Sequence, residues 1–163
     1  MNKINRIYEK LIKLPKIKYI ILTAISAYII SSAMNMLYLS FEVNMGRNMI
    51  SELSTSLIET ILWSVIISPI IETLVFQTLI FKLLEGHKIK IWLKIIISAF
   101  CFSLLHLIYS VFYFFNAFII GVILAYSFTL YKDKKDNPTQ TVIIIHSLIN
   151  LITITLQLIV IYF

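Results

Sequence analysis

Four polar side chains, Glu72, His106, His146 and Asn150, lie inside long apolar runs of the sequence. Placing one ionisable side chain at the centre of a lipid bilayer costs roughly 2.5–3.5 kcal/mol on insertion scales. A chain that carries several such groups is expected to bring them together in the interior of a helix bundle, where they do chemistry or transport. The four residues are therefore the first candidates for a functional site.

Their chemistry is complementary. A carboxylate beside a histidine can take a proton from water and make it a nucleophile, and a second histidine with an amide can donate hydrogen bonds to a developing oxyanion. Alternatively, Glu72, His106 and His146 could bind a zinc ion with an open position for water. Glu and His at this depth also occur in proton-coupled transporters, although the absence of an inverted repeat makes that interpretation less attractive. A single intramembrane His or Asn often only holds helices together.

Depth counting predicts that the four groups meet. Glu72 lies ten residues before Lys82, and His106 lies twelve residues after Lys94. Both lysines are expected at the membrane boundary. His146 and Asn150 lie eight and twelve residues after Pro138, where the last helix is expected to begin. At 1.5 Å per residue, these offsets correspond to roughly 12–18 Å. His146 and Asn150 also share one helix face, because they are four residues apart.

The elements that must position these side chains are transmembrane helices. The chain has 163 residues, is 60% hydrophobic and has a mean hydropathy of +0.92, which is too apolar for a soluble domain of this size. With three glycines and long apolar runs, it is unlike a β-barrel. The sequence predicts an all-α polytopic membrane helix bundle, with a kink or tilt of the second span, which contains Pro69. The five predicted spans are 19–41, 55–81, 91–110, 113–131 and 139–161.

The charges predict the topology. Apart from Arg47, which lies near Glu42 and Glu52, the basic residues fall in the N-terminal segment and in the connections after the second and fourth spans. The positive-inside rule then places the N-terminus in the cytoplasm. The net charge of +6 is explained in this way by the lipid bilayer, and no nucleic-acid partner is expected. The predicted organisation is a basic amphipathic segment at 1–18, a first span with its outer loop at 19–54, and a core of four spans at 55–163.

Smaller signals support this layout. Residues 3–14 have apolar positions at helical spacing and predict an interfacial helix. Asn137 followed by Pro138 is a good N-cap and first helical residue. Cys101 is the single cysteine, so there is no disulfide framework. The aromatic residues around Tyr113 are typical of an interfacial belt.

Three segments together resemble a known family, the CPBP (CAAX protease and bacteriocin-processing, or Abi) intramembrane peptidases. The segment Ser-Pro-Ile-Ile-Glu-Thr-Leu-Val-Phe-Gln at 68–77 resembles the family's first motif. Phe-Ser-Leu-Leu-His at 102–106 is similar to the second, and Gly121 followed by His-Ser-Leu-Ile-Asn at 146–150 is similar to the third. The resemblance covers about residues 60–155.

The resemblance implies a role for each position. Glu72 would be the general base on the attacking water, with His106 helping to position or activate it. His146 and Asn150 would stabilise the tetrahedral oxyanion, and Phe102 would shape the pocket. Family members are called metalloproteases, so zinc is one implied cofactor, but a metal-free glutamate mechanism has also been proposed and both stay open.

The first motif differs from the family at two positions. The usual Glu-Glu-x-x-x-Arg pattern has Thr73 in place of the second Glu and Gln77 in place of the Arg. Because both members of an expected ion pair are neutral together, a hydrogen bond between Thr73 and Gln77 is predicted to replace it. Both residues are therefore expected to support the site.

The leading functional hypothesis is an intramembrane endopeptidase that cleaves a peptide or membrane-associated protein. The resemblance links bacterial members to bacteriocin maturation and self-immunity, and it implies a multi-pass protein of the bacterial plasma membrane. The alternative is a non-catalytic member that gives bacteriocin immunity or binds a membrane partner.

Overall fold

Long apolar helices build the protein. The structure, a computed structural model, describes residues 3–40 and 56–162, and the side chains of residues 6–38 and 56–159. Within these ranges there are six helices and no strand. In chain order the helices are α1 (Lys3–Ile12), α2 (Lys16–Ser40), α3 (Leu57–Leu83), α4 (Ile91–Ile108), α5 (Val111–Asp133) and α6 (Pro138–Tyr162).

Helices α2 to α6 are each long and apolar enough to cross a bilayer. This confirms the prediction of an all-α membrane bundle with five spans, and the observed bounds differ from the predicted ones by only a few residues. The start of α6 also agrees with its sequence, because Asn137 Oδ1 accepts a hydrogen bond of 3.0 Å from the Gln140 N–H. Pro138 is then the first helical residue, as predicted.

The third helix is irregular on both sides of Glu72. It runs as α-helix at Leu57–Ile61, π-helix at Leu62–Ile67, α-helix at Ser68–Glu72, π-helix at Thr73–Leu79 and α-helix at Ile80–Leu83. Pro69 falls at the start of the central α-helical segment. A proline cannot donate the backbone hydrogen bond of an interior position, so a local change of helix type beside it is expected. The two π-helical stretches flank the segment that contains Pro69, and the kink or tilt of this span stays a prediction.

Helices α4 and α5 approach each other closely at Gly121. A Cβ atom at this position would lie 3.0 Å from the Cα of Ala99 and 3.0 Å from Cδ1 of Phe102. The missing side chain lets the two backbones approach, as small residues commonly do between membrane helices. Gly121 thereby fixes the position of the α4 segment that carries Phe102.

Salt bridges and hydrogen bonds cluster at one end of the bundle, which we call the basic end; it holds α1 and the α3–α4 and α5–α6 connections. Lys132 Nζ lies 2.7 Å from Glu85, and Lys16 Nζ lies 2.9 Å from Asp136. The Tyr8 hydroxyl donates to Asp133 at 2.5 Å. These contacts join α5 to the α3–α4 connection, α2 to the α5–α6 connection, and α1 to α5.

The opposite end of the bundle, which we call the outer end, holds the end of α2, the start of α3 and the α4–α5 connection. The predicted outer loop with Glu42, Arg47 and Glu52 lies outside the described residues. Helix α1 confirms the helix predicted within residues 3–14, and its residues Tyr8, Leu11 and Ile12 pack against the core of the bundle. Its position at a membrane surface, the cytoplasmic N-terminus and the domain divisions at residues 18 and 54 stay predictions.

Candidate functional site

Glu72 ends the short α-helical segment between the two π-helical stretches of α3. One turn earlier on the same segment, the Ser68 hydroxyl donates a hydrogen bond to Oε1 of Glu72. This contact holds one carboxylate oxygen and leaves Oε2 to face the interior of the bundle. π-Helical segments occur frequently at functional sites, because they change the direction of side chains along one face of a helix.

Oε2 of Glu72 faces His146 on α6. It lies 3.6 Å from His146 Nε2, and the side chains are 15% and 5% exposed. This distance is slightly longer than a hydrogen bond. Catalytic contacts in structures without substrate are often of this kind and tighten when the substrate binds. The pair joins α3 to α6 at the centre of the bundle.

His146 is held with one ring nitrogen towards Glu72 and the other in the core. Its Nδ1 is buried, and no hydrogen-bond partner for it occurs in the described part of the chain. A neutral imidazole carries one proton, which is best placed on the nitrogen beside the carboxylate. With this tautomer, His146 donates from Nε2 into the space next to Glu72.

His106 lies at the outer end of α4, where the helix tightens into a 3₁₀ turn at Leu105–Ile108. Its Nδ1 is 3.1 Å from the backbone carbonyl of Phe102. A carbonyl can only accept, so Nδ1 carries the proton and Nε2 of the neutral ring is an acceptor. His106 is thus prepared to accept a hydrogen bond from a water molecule.

Phe102 separates the two histidines. Its ring centroid is 4.8 Å from that of His106 and 5.7 Å from that of His146. The side chain is almost fully buried, and its backbone carbonyl also holds His106. Phe102 therefore sets the orientation of both rings, as expected of a residue that shapes the pocket.

Asn150 lies one turn beyond His146 on α6. Its amide nitrogen donates a hydrogen bond of 2.8 Å to the backbone carbonyl of Ser64. Ser64 belongs to the π-helical stretch Leu62–Ile67, and a π-helix changes the pairing of backbone carbonyls. This contact fixes the amide group of Asn150 and leaves its second N–H to donate elsewhere.

The structure brings the four predicted residues together. His106, His146 and Asn150 line one cavity of about 190 Å³, and Glu72 contacts His146 at its edge. Within the described side chains, His146 rather than His106 is the histidine within 4 Å of Glu72.

The cavity also contains polar residues that were not selected from the sequence. Asn116 of α5 donates hydrogen bonds to Ser31 Oγ at 2.9 Å and to Asn35 Oδ1 at 3.1 Å, both on α2. Tyr113, which the sequence assigns to an interfacial belt, lines the cavity, and its ring centroid lies 5.4 Å from that of His106. The cost of placing an amide in lipid applies to Asn35 and Asn116 as much as to Asn150, so the same criterion could have identified them.

The predicted hydrogen bond between Thr73 and Gln77 is wrong. Both side chains are fully buried, but in the described part of the chain neither Thr73 Oγ1 nor either amide atom of Gln77 has a hydrogen-bond partner. The prediction assumed the side-chain spacing of an α-helix, whereas residues Thr73–Leu79 form a π-helix. The two residues therefore do not form the polar pair that was predicted in place of the ion pair implied by the resemblance.

The possible metal ligands predicted from the sequence are Glu72, His106 and His146. Among the described residues, no group of three His, Cys, Asp or Glu side chains is arranged to hold a metal ion. Glu72 and His146 lie together, and the contact of His106 Nδ1 with the Phe102 carbonyl leaves His106 Nε2 free, as in a histidine that binds a metal. In the described structure Glu72, His106 and His146 are not grouped as a zinc site; zinc at these residues stays a prediction.

Comparison with known proteins identifies the family. The family model described as "Rce1-like: Type II CAAX prenyl endopeptidase Rce1-like" matches residues 54–152. This range includes all four polar residues and helices α3, α4 and α5. Searches of curated proteins and of solved structures found no match. The chain is a multi-pass membrane protein that belongs to the Rce1-like family of type II CAAX prenyl endopeptidases.

Proposed function

We propose that this protein is an intramembrane peptidase in which Glu72 is the general base. The observation that carries this proposal is the buried contact between Glu72 Oε2 and His146 Nε2, 3.6 Å apart at the edge of a polar cavity. A carboxylate and an imidazole are rarely placed together at membrane depth without a function. Membership of a family of CAAX prenyl endopeptidases supports peptide-bond hydrolysis as that function.

The proposed reaction uses side chains of this chain only. Glu72 takes a proton from a water molecule that His106 Nε2 orients, and the resulting hydroxide attacks the carbonyl carbon of the scissile bond. His146 Nε2 and the second N–H of Asn150 donate hydrogen bonds to the oxyanion that forms. The carbon–nitrogen bond then breaks, and Glu72 returns its proton to the leaving amine. Water is consumed, and one acid and one amine are released.

The substrate follows from the family and from the location of the site. We propose a lipid-modified or membrane-associated peptide, because the four polar groups lie within the membrane-spanning helices. We also propose that the protein resides in the plasma membrane of a bacterium, with the N-terminus in the cytoplasm. The clustering of lysines at the basic end supports this orientation. Bacteriocin maturation or self-immunity is the proposed cellular role.

The experiment compares two carboxylate substitutions on one helix. The purified protein in lipid nanodiscs is incubated with a farnesylated peptide that ends in a CaaX sequence, and with the same peptide lacking the farnesyl group. Glu72→Gln is expected to lower the cleavage rate by about 10²- to 10⁴-fold, since this is the usual contribution of a general base. Glu59→Gln is the matched control, because Glu59 lies on the same helix and is exposed at its outer end. Cleavage by Glu72→Gln at the wild-type rate would refute the proposal.

A second candidate function is a non-catalytic member that binds a membrane partner. The observation in its favour is the replacement of the charged pair of the first motif by Thr73 and Gln77, which are buried without hydrogen-bond partners in the described structure. This candidate predicts that the wild-type protein cleaves neither peptide. It also predicts that Glu72→Gln retains the immunity phenotype in cells.

A further inference from the structure

We infer that one peptide group of the substrate binds between α2 and α6, with its carbonyl oxygen at Ser31 and Asn35 and its N–H at Thr153. The inference rests on the proposed function and adds a subsite for uncharged backbone to it. Asn116 of α5 positions this subsite, because it determines which atoms of Ser31 and Asn35 are left to donate. Ser31, Asn35 and Thr153 lie outside residues 54–152, the range that matches the family model.

The subsite and the candidate active site share one cavity of about 190 Å³. Its described lining includes both histidines and Asn150, and it also includes the four residues of the subsite. Tyr113, three residues before Asn116 on α5, has its ring centroid 5.4 Å from that of His106. A peptide bound at the subsite would therefore lie in the same space as the groups proposed to cleave it.

The amide of Asn116 is oriented by its two partners on α2. Its Nδ2 donates to Ser31 Oγ at 2.9 Å and to Asn35 Oδ1 at 3.1 Å, so both amide hydrogens are used. Its Oδ1 is buried and has no partner among the described residues. The reverse orientation would bury two hydrogens without partners at that position instead of one oxygen. Asn116 is therefore the donor in both contacts.

This orientation makes α2 a donor to the cavity. Ser31 Oγ accepts from Asn116, so its own O–H is left to donate elsewhere. Asn35 Oδ1 also accepts from Asn116, and Asn35 Nδ2 has no partner among the described residues and is not enclosed. The two residues are four positions apart on one helix face. Because both line the cavity, they can donate to the same ligand oxygen.

The lining contributed by α6 has the opposite character. The Thr153 hydroxyl donates to the Ile149 carbonyl at 2.9 Å, so Thr153 Oγ1 can only accept from a further partner. Helix α6 packs against α2, and the cavity has lining residues from both. The C=O and N–H of a trans peptide group point in opposite directions. A peptide group between these helices can thus place its oxygen towards α2 and its N–H towards Thr153.

The cavity favours an uncharged ligand. Its described lining includes no Lys, Arg, Asp or Glu side chain. A phosphate or carboxylate held there would be a buried charge without an opposite charge, which is costly. An extended backbone inside a membrane needs partners for its N–H and C=O groups, and neutral donors and acceptors provide them. The subsite is therefore suited to the peptide backbone.

The test measures peptide binding in the absence of cleavage. A fluorescent farnesylated peptide that ends in a CaaX sequence is titrated with Glu72→Gln protein in lipid nanodiscs, and its anisotropy gives the Kd. Ser31→Ala and Asn35→Leu are each expected to raise the Kd about 2- to 10-fold, which corresponds to the loss of one hydrogen bond. Ser31→Thr keeps the hydroxyl and is expected to bind like the parent protein. Ser32→Ala is the matched control, because Ser32 is the next residue of α2 and is not part of the described cavity lining.

Changes in the peptide identify the bound group. Replacing one amide by an ester removes its N–H and makes its carbonyl a weaker acceptor. Among peptides with one ester each, one position is expected to raise the Kd about 2- to 10-fold. This loss is expected to be smaller in Thr153→Val, which keeps the shape of the side chain without its hydroxyl. An equal loss in Thr153→Val at every position would contradict the contact with the N–H.

The role of Asn116 is tested with a double-mutant cycle. Asn116→Leu is expected to weaken peptide binding, because Ser31 and Asn35 lose the contact that orients them. In the Asn116→Leu background, Ser31→Ala is expected to add little, since the two residues act as a unit. A full effect of Ser31→Ala in that background would show that Asn116 only supports the fold. Thermal unfolding confirms that each variant is folded under the binding conditions.

Failure of this inference can be distinguished from failure of the proposed function. An unchanged Kd in Ser31→Ala and Asn35→Leu, an equal loss in Ser32→Ala, or no binding by the parent protein would overturn the inference. Cleavage that survives Glu72→Gln would instead refute the proposed general base. The variants are then compared in cleavage by protein that retains Glu72, where the subsite predicts a higher KM for Ser31→Ala with an unchanged kcat.

Discussion

Gly121→Ala is expected to disturb the candidate site from a distance. The added Cβ would lie 3.0 Å from the Cα of Ala99, 3.0 Å from Cδ1 of Phe102 and 3.2 Å from the Cβ of Ala99. Carbon atoms normally approach to about 3.5–4.0 Å. Because the Ala99 Cα belongs to the backbone, α4 and α5 must separate by a few tenths of an ångström. Overpacking of this kind costs about 1–3 kcal/mol.

A shift of α4 would move Phe102 and, with it, the rings of His106 and His146. The Phe102 ring contacts both imidazoles, and its carbonyl holds His106 Nδ1 at 3.1 Å. A misplacement of about 1 Å in a catalytic group can lower the rate about 10²-fold. For a shift of a few tenths of an ångström, we expect a decrease of about 3- to 10-fold in cleavage by folded protein.

Gly86→Ala is the matched control. Gly86 has a φ of +83°, and an added Cβ there would meet nothing within 4 Å. Alanine in this conformation costs about 1–2 kcal/mol, which is similar to the loss expected for Gly121→Ala. Gly86 lies in the α3–α4 connection at the basic end, away from the site. The two variants therefore separate general destabilisation from a specific effect on the site.

The assay combines thermal unfolding in detergent with peptide cleavage, measured at a temperature where both variants are folded. Both variants are expected to unfold at a lower temperature than the wild-type protein, while only Gly121→Ala loses cleavage per folded molecule. An equal loss of specific cleavage in both variants would show that Phe102 does not transmit the displacement. A wild-type unfolding temperature for Gly121→Ala would show that α4 and α5 are not in the close contact described.

Two further predictions concern stability. Gln77→Leu is expected to raise the free energy of unfolding by about 1–3 kcal/mol, because it removes a buried amide without partners in the described structure. The measurement is a denaturant titration. A loss of stability would show that Gln77 is hydrogen-bonded in the folded protein. The pKa of Glu85 is lowered by its hydrogen bond from Lys132, and the pKa of Asp136 is lowered by its hydrogen bond from Lys16. The folded-state pKa of each carboxyl group lies below its ordinary value of 4.5 or 3.8. These pairs therefore stabilise the fold above the ordinary pKa, and their contribution is lost as the pH falls through the lower folded-state pKa. Thermal unfolding at pH 6 and pH 3.5 is expected to show this loss, with a smaller difference in a Lys16→Met variant; an equal pH difference in that variant would contradict it.

Much of the fold follows directly from the sequence. A bilayer requires about 20 apolar residues for each span, so five spans are visible without any knowledge of packing. The start of α6 is also visible, because Asn137 and Pro138 act through local backbone chemistry. The convergence of Glu72 with His146 could be predicted from depth, since a regular rise per residue converts sequence offsets into distances.

Other features depend on geometry that the sequence does not encode locally. The π-helical stretches change the side-chain spacing along α3, and for this reason the expected contact between Thr73 and Gln77 does not form. The choice of His146 rather than His106 as the near neighbour of Glu72 depends on how α3 packs against α6. Asn116 was not among the predicted residues, although its amide is as unusual in an apolar span as that of Asn150.

The two π-helical stretches of α3 have a consequence for the natural variation of this protein. A π-helical turn generally corresponds to the insertion of one residue into an α-helix, so relatives can differ by a single residue on either side of Glu72 while both ends of the span stay in place. Deletion of one residue within 62–67 would restore regular α-helix and rotate Ser64 relative to Glu72, which would remove the carbonyl that holds Asn150. A one-residue gap in this helix therefore changes the site. A sequence alignment without a gap in this span would pair residues that lie on different faces of the helix.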